Sequence, residues 1–338
     1  MTAPAPSFEH LLRLSDDTGV FEHALGTIPR RVHGYCVDDV ARALVVISRE
    51  PKPPRAVAEL GERCVSFLMH AQGADGCFHN RLGYNRQWED TPGVGDWWGR
   101  ALWALGTAAA IHPDAHTREA ARTCFDLGAA RRSPFARSMA FAALGAAEVA
   151  AVDHDDPTSR ALLTAASVAL GRPRGDARWP WPEPRLTYAN AVLPEALIAA
   201  GSVLSDDHLL EDGLALLGWL LTTETHHGHL SLTAVGGWGP DEDRALFDQQ
   251  PIEASTLADA CARAFKCTGD ARWLGGVSLA ISWFRGNNDA GLPLLDRRTG
   301  GGYDGLTATG CNTNQGAEST LALISTSQHE RLGTGVAG

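Results

Sequence analysis

Lysine is nearly absent from this chain: of its 29 basic residues only Lys52 and Lys266 are lysines, and arginine supplies the rest. That skew fits a GC-rich genome and carries no functional weight. Runs of Lys or Arg are missing too, and the net charge is −11 over 338 residues, which argues against nucleic acid as a partner. The seven cysteines form no Cys-x-x-Cys pair and are scattered, a pattern of reduced, packed thiols. No stretch of about 18 apolar residues occurs, and the N-terminal MTAPAPSFEHLLRLSDD lacks a basic segment followed by an apolar core. A membrane partner and a signal peptide are therefore not expected, and a cytoplasmic location is the simplest expectation. The chain has no G-x-G-x-x-G opening a helix after a strand, no P-loop and no G-x-S-x-G, so no cofactor is expected. His226, His227 and His229 have no carboxylate at a diagnostic spacing and read as solvated loop histidines, not as a metal site. Nor does a Gly/Ser linker or a break in composition divide the sequence, which predicts one domain over 1–338.

What is present is a helical signal that recurs six times. Segments rich in Ala, Leu and Gly start near Asp38, Asp96, Pro134, Tyr188, Gln250 and Asn314. Helices that are apolar nearly all round are usually buried. More amphipathic segments lie between them, at 8–14, 56–72, 115–130, 157–170, 206–222 and 270–285. Six buried helices alternating with six half-exposed ones predict two concentric rings, an all-α (α/α)6 toroid. The connections are unequal. Those leading into the buried helices are long, at 15–37, 73–95, 172–187, 223–249 and 286–313, with 131–133 the exception. In a toroid these loops emerge at one end, together with the N-termini of the inner helices. Long loops without helices of their own are usually functional, so that end is expected to carry a pocket.

The loops carry the chemistry. Asp38 and Asp39 open the first inner helix, and Asp96 opens the second, where an aspartate can cap backbone N–H groups. Capping needs one Asp, so the second of the first pair is expected to meet Arg42 or the pocket. Trp97 and Trp98 follow Asp96, and aromatic faces at a polar mouth suit stacking against sugar rings. The segment RWPWPEPRLTYANAVLPEAL adds Trp179, Trp181, Glu183, Tyr188, Asn190 and Glu195. FDQQPIEASTLADA places Gln249, Gln250 and Glu253 at the start of the fifth inner helix, with Pro251 favoured in a first turn. The last loop is the most polar, with Asp304, Asn312, Asn314 and Gln315 leading to Glu318. By contrast, Asp153–Asp156 lies in a short loop at the plain end and reads as solvated charge.

Taken together, these motifs resemble a bacterial family of six-hairpin (α/α)6 proteins, described as glycosyltransferases or as glycosidase-like, some fused to a sugar-nucleotide glycosyltransferase domain. The resemblance runs through His33–Leu44, Phe78–Trp88, Gly99–Gly106, Leu186–Leu197, Gly228–Ser231, Phe247–Ala254 and Thr299–Thr320. The chain departs from the family pattern in three places. Val40 stands where the pattern has Asn, and Gly95-Asp96-Trp97-Trp98-Gly99 replaces a segment with Glu and His beside the Asp. Ala189 stands where the pattern has Asp. The resemblance implies a carbohydrate-active enzyme acting on an oligosaccharide or glycoside.

The resulting expectation is cleavage of a glycosidic bond by two carboxylates, with inversion as the more usual outcome on such toroids. Asp39, Asp96, Glu253, Asp304 and Glu318 form the carboxylate pool, with Glu253 and Glu318 as the leading pair. Trp97, Trp98, Trp179 and Trp181 are candidate sugar platforms, and Asn190, Gln249, Gln250, Asn314 and Gln315 candidate hydroxyl binders. Two alternatives stand beside it. One is a sugar epimerase or isomerase using His33, His79 or His229. The other is a non-catalytic glycan-binding protein.

Overall fold

The computed structural model describes residues 5–335. Among them are twelve helices: α1 (Glu9–Arg13), α2 (Val37–Ser48), α3 (Arg55–Ala71), α4 (Asp96–Ile111), α5 (Ala115–Ala129), α6 (Ala136–Val152), α7 (Pro157–Leu170), α8 (Val192–Leu204), α9 (Asp207–Thr223), α10 (Pro251–Thr268), α11 (Arg272–Phe284) and α12 (Ala317–Gly335). The even-numbered helices form a closed inner ring. Each packs on the next, α2 on α4 through α10 on α12, and α12 returns to α2. The odd-numbered helices lie outside it. Of these, α7 spans α6 and α8, α9 spans α8 and α10, and α11 spans α10 and α12. This is the (α/α)6 toroid that the alternation predicts. The outer helices bury one stripe only: α3 buries Val57, Leu60, Cys64, Phe67 and Leu68, spaced to lie on one face.

Small residues let the inner helices approach closely. A Cβ on Gly99 would run into the carbonyl of Ser138, and one on Gly145 into the carbonyl of Leu102, so α4 and α6 touch backbone to backbone. The apolar surface removed from water along these contacts is the main stabilising term.

The two rings start differently. Outer helices α5, α7 and α9 are capped by Asp114, Asp156 and Asp206, each accepting the N–H three residues ahead. Asp156 is thus buried as a cap and also paired with Arg122, where the sequence predicts solvated charge. Inner helices α2, α4, α6, α8 and α10 have no side-chain cap. The capping expected at Asp38 or Asp39 and at Asp96 is therefore overturned: all three sit inside the first helical turn, where Asp38 and Asp96 bond to neighbouring helices and Asp39 meets Arg42 of its own helix, as expected of one of the pair. Helix α8 begins at Val192 rather than near Tyr188, because Ala189 takes a positive φ of 46° and interrupts the helix.

Long connections at 14–36, 72–95, 171–191, 224–250 and 285–316 all lead into inner helices. Extended structure is confined to two- and three-residue ladders in these loops. Two of them shape the site. The first pairs β1 (Ala24–Leu25) with β2 (Ile28–Pro29). The second pairs β3 (Tyr35–Cys36) with β4 (Arg81–Leu82), setting Cys36 opposite Arg81. Gly34 enters that ladder at φ 64°, where a side chain would also strike the Leu82 carbonyl.

Candidate active site

A cavity of about 640 Å³ opens at the long-loop end. Helix α2 contributes Asp38, Asp39 and Arg42; α4 contributes Asp96, Trp97 and Arg100; α12 contributes Glu318 and Ser319. The loops add Glu22, His23, Asn80, Arg81, Asp304 and Asn312. Cys36, Tyr188, Gln250 and Ile252 complete most of the wall.

Charge is arranged in pairs around this space. Arg42 donates through Nη1 to Asp39 at 2.6 Å and through Nη2 to Glu318 at 2.7 Å, bridging α2 and α12. Arg100 donates to Asp38 at 2.7 Å, across from α4 to α2, with its guanidinium 4.5 Å from the centre of the Phe141 ring. Arg81 holds Glu22 through both amino groups. Asp96 receives the Ser138 hydroxyl at 2.7 Å. Asp304 receives the Gly316 N–H at 2.8 Å and the Ser319 hydroxyl at 2.9 Å, and so caps the start of α12.

The two adjacent aspartates differ. Burial disfavours ionisation of Asp38, but Arg100 and then Arg42 outweigh it, and its pKa lies below the usual value. Burial dominates at Asp39, and Glu318, Glu22 and Asp38 add repulsion against the attraction of Arg42; its pKa rises to about 7. The buried Cys36 thiol, near Asp38 and Asn80, is pushed well above the thiol range by burial and then by the acids around it. Among the described residues Glu22, Cys36 and Asp39 bring ligand-type atoms within 4.8 Å of one another. Arg81 and Arg42 already pair with the two carboxylates, so a cation there would have to displace them.

Of the five expected carboxylates, Asp39, Asp96, Asp304 and Glu318 line this cavity and Glu253 does not. Glu253 is buried beside the turn before α8, accepting the N–H of Ala189 at 2.5 Å and of Asn190 at 3.3 Å. Burial, then the Glu224 carboxyl, raise its pKa to about 8. Its work is to hold the turn that brings Tyr188 to the cavity. Glu195, deeper in the toroid, pairs with Arg263 at 2.9 Å.

Of the four tryptophans only Trp97 reaches the cavity, fixed by its Nε1 donating to the Phe78 carbonyl at 2.7 Å. Trp98 is core, with its Nε1 on the Gly128 carbonyl. Trp179 and Trp181 are buried against Trp219, so neither can serve as a sugar platform. Among the expected hydroxyl binders, Gln250 lines the cavity. Asn190, Gln249 and Gln315 are buried and spent on internal bonds: to Thr187 and Arg137, to Asp289 and Trp283, and to Thr299 and Asp296. Asn314 accepts the Gly26 N–H, tying the tip of the β1–β2 hairpin to the last loop. The three expected histidines lie elsewhere: His33 against His23, His79 stacked on Trp88, and His229 on Asp289 at 3.0 Å. His226 Nε2 lies 2.6 Å from Arg244 Nη1, which donates, and 3.1 Å from the carbonyl of Thr223 at the end of α9.

Glu22, His23, Arg81 and Arg100 are cavity residues that sequence reasoning missed. Arg100 stands four residues after Asp96, on the same helix face, and that spacing could have pointed to it. Glu22 and His23 carry no local signal; a long-range contact of their loop puts them there, with the Ala317 N–H donating to the Glu22 carbonyl.

No protein-family model matches the chain, and no curated protein matches it. Solved structures do. A sugar epimerase from a ruminal bacterium superposes with a TM-score of 0.69 at 13% identity, covering 96% of this chain and 95% of that one. A cellobiose 2-epimerase from Bacillus thermoamylovorans gives 0.73 at 10% identity, with 96% of each chain covered. An inactive variant of an α-1,6-mannanase from a Salegentibacter species, with two adjacent aspartates changed to alanine, gives 0.65 at 9% identity and 96% coverage of both. Likeness at this identity establishes the fold, shared end to end. Among the described residues no helix is long and apolar enough to cross a membrane.

Proposed function

We propose that this chain is a carbohydrate-active enzyme that hydrolyses a glycosidic bond, with Asp39 as proton donor and Glu318 as the carboxylate that activates water. The observation that carries the reading is the bridge through Arg42. One guanidinium holds two carboxyl groups in opposite surroundings, Asp39 with 4% and Glu318 with 38% of its side chain exposed. Pairs of acids whose environments differ in this way divide naturally into acid and base. Asp39, raised to about 7, retains a proton near neutrality and can give it to the leaving oxygen. Glu318, open to solvent, takes a proton from the water that attacks the anomeric carbon. Direct attack by water inverts that carbon. The mannanase neighbour is an inactive variant with two adjacent aspartates changed, and Asp38 and Asp39 are an adjacent pair at this cavity, which favours carboxylate chemistry here without choosing the pair.

A sugar epimerase or isomerase is the second reading, favoured by the two epimerase neighbours and by His23 in the cavity wall. Against it, His79 and His229 are engaged elsewhere, and His33 packs behind His23 without lining the cavity itself. Incubation with a panel of oligosaccharides in deuterated water separates the readings. Hydrolysis releases new reducing ends without deuterium at sugar carbons, and Asp39→Asn and Glu318→Gln each lower kcat by about a thousandfold or more while glycan binding persists. Deuterium at carbon 2 with intact glycosides would overturn hydrolysis in favour of epimerisation. Binding without turnover of any glycan would leave a glycan-binding protein.

A further inference from the structure

The cavity is unbalanced in charge. Six carboxyl groups face it, those of Glu22, Asp38, Asp39, Asp96, Asp304 and Glu318, against three guanidiniums and the imidazole of His23, which lies by Glu22. Each guanidinium is already taken: Arg42 by Asp39 and Glu318, Arg81 by Glu22, Arg100 by Asp38. Among the described residues Asp96 and Asp304 remain without a paired cation. Each has one oxygen tied down, by the Ser138 hydroxyl or by Gly316 N–H and Ser319, and a second oxygen with no hydrogen bond among the described residues. Neither lysine helps: Lys52 lies in the α2–α3 connection, and Lys266 lines a separate cavity between the inner helices.

From this we infer that the saccharide bound here carries a primary amine, whose ammonium supplies the missing positive charge to Asp96 and Asp304. The inference rests on the hydrolytic reading above for the reaction, but recognition can be tested apart from it. A neutral sugar that displaces water from this cavity can donate from its hydroxyls to the two carboxylates but leaves their charge unbalanced, which is costly. An ammonium restores the balance and offers three donors to oxygens that lack them. A uronic acid adds a further negative charge and is repelled. The acidic chain as a whole, at −11, also draws cationic ligands toward a cleft of this sign.

The test is calorimetric binding to the Glu318→Gln variant of three disaccharides with the same ring stereochemistry: one with a free 2-amine, its N-acetyl form, and the corresponding uronide. The amine form should bind about tenfold or more tightly than the N-acetyl form, which is about 1.4 kcal/mol or more. The uronide should bind most weakly. The preference for the amine should fall as the pH passes the amine's own pKa. Asp96→Asn and Asp304→Asn should each reduce the preference; because Asp304 also caps α12, the Asp96 variant is the one that decides if the other fails to fold. Equal binding of the amine and N-acetyl forms, or a preference untouched in Asp96→Asn, overturns the amine inference and leaves hydrolysis standing. Amine preference in a protein that cleaves nothing overturns hydrolysis and leaves the recognition intact.

Discussion

At the scale of single residues, the carboxyl groups sort by what each one touches. Among the described residues Asp39 has Arg42 as its hydrogen-bond partner, and its pKa near 7 gives a definite rate profile. The donor must be protonated, so kcat/KM should hold below about 7 and fall roughly tenfold per pH unit above it. A rate that stays flat to pH 9 would remove Asp39 from that role. Glu253 has a different fate. Its polarity, and its place at the start of an inner helix, make it look catalytic in the sequence, yet its side chain turns toward the α8 entry and binds two backbone N–H groups there. Removing it in Glu253→Ala strands those donors in the core, at a cost of about 2–4 kcal/mol. Urea unfolding should register that loss, whereas Glu253→Gln should keep kcat within about tenfold of the parent. A thousandfold loss of kcat in a folded Glu253→Gln protein would return Glu253 to the catalytic pair. Periodicity says which residues start a helix, but not which of two neighbouring partners a side chain turns to.

Elements were more legible than side chains. Every inner and outer helix stands within a few residues of its expected span, because patterns of 3.6-residue period are written locally. The α8 entry slipped by four residues, since nothing in the sequence marks Ala189 for a positive φ. Tryptophans misled for a related reason. Trp97 and Trp98 are adjacent, but successive helical residues point about 100° apart, so one reaches the cavity and the other the core. The close approach of α4 and α6 places Ser138 beside Asp96, and it depends on glycine. Gly145→Ala gains about 1 kcal/mol of helix propensity but forces a methyl into the Leu102 carbonyl. Overpacking at such a contact typically costs about 1–3 kcal/mol, so a net loss of stability is expected. Thermal unfolding reads it directly, and an unchanged or raised Tm would mean that the two helices are not held this tightly.

The whole molecule is a ring whose first and last segments meet at the cavity. The Gly26 N–H donates to Asn314, and the Gln315 N–H returns a bond to the Gly26 carbonyl. Arg42 of α2 then reaches Glu318 of α12 across the same seam. The site is therefore completed only when the chain closes on itself, and we propose that the ring unfolds as one unit. Near- and far-ultraviolet circular dichroism should report a single coincident transition on heating; two separated transitions would divide the chain into independent parts. The central claim is that Asp39 and Glu318 flank a glycosidic bond. A crystal structure of the Asp39→Asn variant with an uncleaved disaccharide tests it most directly. The account expects the glycosidic oxygen within hydrogen-bonding distance of the residue 39 side chain, with Glu318 on the other side of the anomeric carbon. A disaccharide seated with its glycosidic oxygen away from both residues, or with a free sugar end against His23 instead, would contradict it.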